Sequence, residues 1–195
     1  MPFLPLTCSR SPDSSNLSTP ARACWLVCAL VALAAPSAVE AQTPPSIICQ
    51  DEPEFRQFDF WVGEWDVFDN ASGNRAGANS IESLHGGCVL VESWTSSGGP
   101  GGTSVNYYDN VRGTWRQYWV SVNYSIEIEG GLDQDGRMVL EGELHDYRQR
   151  AAIPFRGTWT PEPDGTVRQL FEQQDPATGE WQVWFDGRYE RRAPA

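Results

Sequence analysis

From residue 58 onward the chain alternates short runs of aromatic and β-branched residues with turn-forming ones, at the roughly 8–12-residue spacing of an all-β sandwich or barrel. The runs are Phe58–Phe68, Ala76–Leu84, Cys88–Thr95, Thr103–Tyr108, Thr114–Ser121, Ser125–Leu132, Arg137–Leu144, Ala151–Thr160, Thr166–Gln173 and Trp181–Arg191. Between them lie turn sequences such as Asp69-Asn70-Ala71-Ser72-Gly73 and Asp133-Gln134-Asp135-Gly136, which favour tight reversals. The pattern predicts about ten strands joined by short turns and no amphipathic helix. An up-and-down order of that length has two exposed edges unless it closes, so a single antiparallel barrel is expected over 55–192, with a two-sheet sandwich as the other solution. Residues 42–54, with Pro44, Pro45 and Pro53 and no periodicity, read as an extended arm.

Alternation along a strand separates the two faces of the sheet. Met138, Leu140, Gly142 and Leu144 point inward against Glu141 and Glu143, and Ile126, Ile128 and Gly130 against Glu127 and Glu129. Three other strands carry mixed faces. Leu90, Glu92 and Trp94 oppose Val89, Val91 and Ser93; Ser104, Asn106 and Tyr108 oppose Thr103, Val105 and Tyr107; Trp115, Gln117 and Trp119 oppose Arg116, Tyr118 and Val120.

The first residues follow another pattern. Arg10 and Arg22 precede the apolar run Ala23–Ala35, followed by Pro36 and the V-x-A site Val39-Glu40-Ala41. That is the order of a cleaved secretory signal peptide over 1–41, and the run is shorter than the roughly 20 apolar residues of a membrane span. Export to the periplasm or beyond places Cys49 and Cys88, the two cysteines outside this leader, in an oxidising compartment, where a disulfide between them is expected. The formal net charge is −12, and every basic residue is arginine. A strongly acidic chain without a basic run is a poor match for nucleic acid or an anionic membrane surface.

Phe58-Asp59-Phe60-Trp61-Val62-Gly63-Glu64-Trp65-Asp66-Val67 resembles the hallmark of a family of exported bacterial proteins of unknown function. Gly86-Gly87-Cys88, Glu92-x-Trp94, Ser104-x-Asn106-x-Tyr108-Asp109, Trp115-x-Gln117-x-Trp119-Val120 and Phe185-Asp186-Gly187-x-Tyr189 look like the rest of its pattern. Gly63-x-Trp65 is also similar to the Gly-x-Trp of lipocalins and other calycins. That resemblance implies a tryptophan closing one barrel end beneath an arginine of the last strand, Arg188 or Arg191 here.

The resemblance favours Glu92, Trp94, Ser104, Asn106, Tyr108, Gln117 and Trp119 as the inward residues of the mixed strands. Aromatic walls with a few placed polar groups are the make-up of a small-molecule pocket. The same residues would also serve a filled barrel with a buried polar network. An exported calycin-like binding barrel is therefore the expected function, with no cofactor. The alternatives are an enzyme using Glu92 as a buried general acid or base, and a structural or interaction module. His85 sits in a Gly-rich turn and His145 ends an outward-facing register, whereas a haem-binding calycin similar to nitrobindin needs a histidine aimed at the cavity. No Cys/His cluster has metal-ligand spacing, and no Ser-His-Asp arrangement stands out.

Overall fold

A computed structural model describes Cys49 and residues 51–193; the expected leader and most of the arm lie outside the described residues. The strands are β1 (Gly63–Asp69), β2 (Arg75–Leu84), β3 (Val89–Ser96), β4 (Gly102–Asp109), β5 (Thr114–Ser121), β6 (Tyr124–Leu132), β7 (Met138–Asp146), β8 (Ala151–Pro161), β9 (Val167–Gln174) and β10 (Trp181–Arg191). Each pairs antiparallel with its neighbours in the chain, and β10 pairs with β1 to close the barrel. The turns follow local chemistry. Between β6 and β7, one Asp133 carboxylate oxygen accepts the backbone N–H groups of Asp135 and Arg137, while Gly136 supplies a φ of 76°, a combination that reverses the chain without help from the core.

The expected first strand is corrected at its start. Pro53–Arg56 and Asp59–Trp61 are 3₁₀ turns, and the strand begins only at Gly63. A strand would place Phe58 and Trp61 on opposite faces. The three-residue 3₁₀ period eclipses them instead, so they stack with centroids 4.9 Å apart and both are fully buried. This aromatic segment folds under the barrel rather than continuing its wall. Phe58 meets Trp115 and Trp159 edge-on at 5.6 and 5.2 Å. Phe55 meets Tyr108 at 5.3 Å, and the Trp115 indole N–H donates to the Glu54 carbonyl at 3.2 Å.

Trp65 completes that closed end. Its Nε1 donates to the Trp61 carbonyl at 2.8 Å, and the guanidinium over its ring, 4.3 Å from the centroid, belongs to Arg191. The same guanidinium donates to the Val62 carbonyl at 3.1 Å. Arg188 is not in this place: it lies by Phe68 and pairs with Glu190 on the outer surface. The reason is strand parity. Tyr189 is buried inside, so Arg191 shares its face and Arg188 takes the other. Gly63 has a φ of 138°, and a Cβ there would sit 2.6 Å from Arg191 Nη1. Gly63→Ala is therefore expected to cost about 1–3 kcal/mol in urea unfolding, Arg191→Ala about 1 kcal/mol, and Arg188→Ala no more than about 0.5 kcal/mol. Equal costs for the two arginine variants would refute this placement.

Cys49 and Cys88 form the expected disulfide, with Cα atoms 5.0 Å apart and a sequence separation of 39. In the chain-entropy account, closing such a loop stabilises by about 4 kcal/mol. It ties the segment before the 3₁₀ turns to the end of the β2–β3 connection. Outside, Glu127, Glu129, Glu141 and Glu143 are exposed, and Arg156 bridges the strands through Glu172 at 2.8 Å. Such a charged outer face suits water, since a lipid-facing barrel wall carries an apolar band. Among the described residues no helix is long and apolar enough to cross a membrane.

Candidate functional site

The interior is filled at one end only. Phe58 and Trp61 of the 3₁₀ segment pack with Trp65, Trp115, Met138 and Trp159 of the strands to fill that half, each at most 1% exposed. The other half holds a cavity of about 410 Å³. Its aromatic walls are Trp94 (β3), Trp119 (β5), Tyr124 (β6), Phe171 (β9) and Trp184 and Phe185 (β10). Gly99 and Pro100 of the β3–β4 loop and Asn123 of the β5–β6 turn border it as well. The Gly-rich loop thus belongs to the cavity wall.

Two features of the strands shape the lining of this half. Register slips at Val183/Phe185 on β10 and opposite Val67/Phe68 on β2 insert Trp184 and Ala76 as extra residues. A bulge re-aims the side chain it carries, and here consecutive residues, Trp184 and Phe185, both line the cavity. Trp184 meets Tyr124 edge-on at 5.5 Å and Phe155 at 5.6 Å. Gly102 provides the second device: a Cβ there would collide with the Trp119 indole, so its absence lets that ring lie against the wall.

Polar side chains from six strands meet below these rings. Gln117 Nε2 donates to Asn106 Oδ1 at 2.7 Å, Asn106 Nδ2 to Ser104 Oγ at 2.8 Å, and Ser104 Oγ to Glu92 Oε2 at 2.6 Å. From the other side, Asn79 Nδ2 donates to Glu92 Oε1 at 2.7 Å and to the Tyr189 hydroxyl at 3.1 Å, and that hydroxyl donates to Gln169 Oε1 at 2.6 Å. All seven are buried. Burial pushes the Glu92 carboxyl up from 4.5 to about 7, against the smaller opposing effects of the Ser104 and Asn79 hydrogen bonds. Burial, with the nearby Glu92 charge, also holds the Tyr189 phenol well above its usual value.

The seven residues expected to face the interior separate into three groups. Glu92, Trp94, Gln117 and Trp119 line the cavity. Ser104 and Asn106 lie behind it, as the links that join Gln117 to Glu92. Tyr108 is on the same side of the sheet but at the closed end, against Phe55 and Trp115. Its position near the end of β4 carries it past the cavity and into the plug.

Sequence reasoning missed Asn79 and Gln169, and left Tyr189 as a pattern residue without a role. A signal was present for Asn79, which alternates in phase with Gly77 and Ile81. For Trp184 parity pointed the wrong way, because the bulge resets it. Neither histidine lines the cavity: His85 is in the turn after β2, and His145 lies 3.4 Å from Glu143 on the outside. Among the described residues no group of three or more His, Cys, Asp or Glu could hold a metal ion.

The arrangement offers a ligand apolar walls, amide and phenol groups, and one carboxyl that changes charge near neutral pH. Compared with known proteins, the chain matches no family model, and no curated protein is significantly similar to it.

Proposed function

We propose that the chain is an exported, calycin-like binding barrel that takes one small, partly apolar molecule into the open half of its interior. The observation that carries this reading is the division of the barrel: an aromatic plug fills one half, and a cavity of about 410 Å³ occupies the other. That volume is in the usual range for small-molecule sites. Two bulge residues, Ala76 and Trp184, and the side-chain-free Gly102 shape the lining of that open half. The hallmark Phe58–Val67, the Gly63-x-Trp65 pair beneath Arg191, and the leader-like first residues support membership of an exported calycin-like family. The Cys49–Cys88 disulfide supports an oxidising destination.

The neutral fluorescent probe N-phenyl-1-naphthylamine tests this directly. Titrated into the protein, it is expected to brighten and saturate at one equivalent. Ala76→Trp, which pushes an indole into the cavity from the β2 bulge, should weaken that binding by about tenfold or more with little change in melting temperature. Non-saturable fluorescence, or unchanged affinity in the filled variant, would remove the cavity from the functional argument.

A further inference from the structure

The hydrogen bonds at the cavity floor have a direction. Gln117 donates to Asn106, Asn106 to Ser104 and Ser104 to Glu92, while Asn79 donates to the other Glu92 oxygen. Donors converge on Glu92 from both flanks, and both of its oxygens accept. A carboxylic acid would have to donate through one oxygen, whereas a carboxylate only accepts. Both Glu92 oxygens are thus hydrogen-bonded in an arrangement that a carboxylate can use in full.

A buried carboxylate calls for a positive partner. Among the described residues that line the cavity there is no Arg, Lys or His, and Glu92 is the one carboxylic acid. The same cavity is walled by Trp94, Trp119, Trp184 and Tyr124, rings of the kind that attract a cation through their π faces. The chain's net charge of −12 adds a long-range field of the same sense. We infer that the cavity selects a small organic cation, an alkyl- or aryl-ammonium whose positive nitrogen pairs with the Glu92 carboxylate inside aromatic walls. This rests on the reading of the chain as a binding barrel and names the ligand class.

The proton is the competitor. With no cation bound, burial holds the Glu92 carboxyl up at about 7, so a cation that binds must displace a proton. The groups facing Glu92 are Asn79 from β2, Ser104 from β4 and Tyr189 from β10, with Tyr124 of β6 close enough to feel its charge. Both phenols are pushed above their usual value, chiefly by burial, so neither titrates alongside it. Cation affinity should therefore rise with pH up to about 7, by at most about tenfold per pH unit, and level off above.

The test uses phenyltrimethylammonium and its neutral isostere tert-butylbenzene, which differ in charge and hardly in shape. Binding is followed by quenching of tryptophan emission at pH 5.5 and 8. At pH 8 the cation is expected to bind at least about tenfold more tightly than the isostere. That preference should shrink at pH 5.5 and vanish in Glu92→Gln, while the isostere continues to bind the variant. If Glu92→Gln does not fold, the pH dependence of the ratio in the unaltered protein decides alone. Equal or tighter binding of tert-butylbenzene at pH 8 would overturn the cation assignment and leave the binding barrel standing. Failure of both probes, and of N-phenyl-1-naphthylamine, would overturn both readings.

Discussion

Trp61→Ala is expected to lower the unfolding free energy by about 3–5 kcal/mol, the usual cost of removing a large buried aromatic. Trp61 is fully buried between Phe58, at 4.9 Å, and Trp159, at 5.6 Å, and its backbone carbonyl holds the Trp65 indole. Truncation would leave a void among rings contributed by three strands and the 3₁₀ turn, which cannot all collapse inward together. Trp61→Phe keeps most of the ring, and it removes an indole N–H that has no hydrogen-bond partner. It should therefore cost much less than the alanine variant. Urea denaturation of the two variants beside the unaltered protein measures the difference. Since the plug lies at the opposite end from the cavity, probe affinity should change by less than about threefold in the Phe variant. An alanine cost under about 1 kcal/mol would mean that the segment is an appendage, not the floor of the barrel.

That prediction concerns the one stretch where periodicity pointed to the wrong element. Phe58 to Val62 is rich in aromatics, as a strand would be, and period-2 reasoning has no means of recognising residues paired at a spacing of three. Elsewhere the alternation was decisive because outward charges fixed the phase: Glu127 with Glu129 and Glu141 with Glu143 leave Ile126, Ile128, Leu140 and Leu144 no choice but the inside. The mixed strands carried no such marker. Resemblance to a family pattern selected Glu92, Asn106 and Gln117 as the inner set, and these three lie on the inside as links of one network.

The legible part of the site ended where geometry beyond the single strand took over. Tyr108 has the right face but the wrong height, because position along the barrel axis depends on where each turn falls. Gln169 and Tyr189 come from β9 and β10, brought near Glu92 only by closure of the barrel, and Asn79 comes from β2, the hairpin neighbour of β3. Trp184 owes its orientation to a bulge, and a bulge cannot be placed without knowing the register of the partner strand. Arg191 was available from parity alone once Tyr189 was known to be inside. What one strand could not reveal was which residues on the other strands it would face.

Glu92→Gln is expected to flatten the pH dependence of stability between about pH 4.5 and 8. The folded protein holds the Glu92 carboxyl at about 7 against an ordinary value of 4.5. Between those values the native state retains a proton that the unfolded chain releases. Stability from this group is therefore full at the acid end and is lost as pH rises through about 7, a fall of about 3 kcal/mol. Asp133 and Asp186, held below the usual carboxylate range chiefly by hydrogen bonds from Arg137 and Arg168, titrate below this window and in both proteins. The informative quantity is thus the difference in urea midpoint between unaltered protein and variant, taken at pH 5, 6, 7 and 8. The unaltered protein should be the more stable at pH 5, and its advantage should shrink or reverse by pH 8. A difference independent of pH would show that Glu92 does not titrate in this range and that its network carries no strained charge. A bound cation should act on the same quantity. By pairing with the carboxylate it stabilises only the folded protein, and most strongly above pH 7, where the buried charge is otherwise unpaired. Saturating phenyltrimethylammonium should then restore at pH 8 much of the stability that deprotonation removed, and should do nothing comparable for Glu92→Gln.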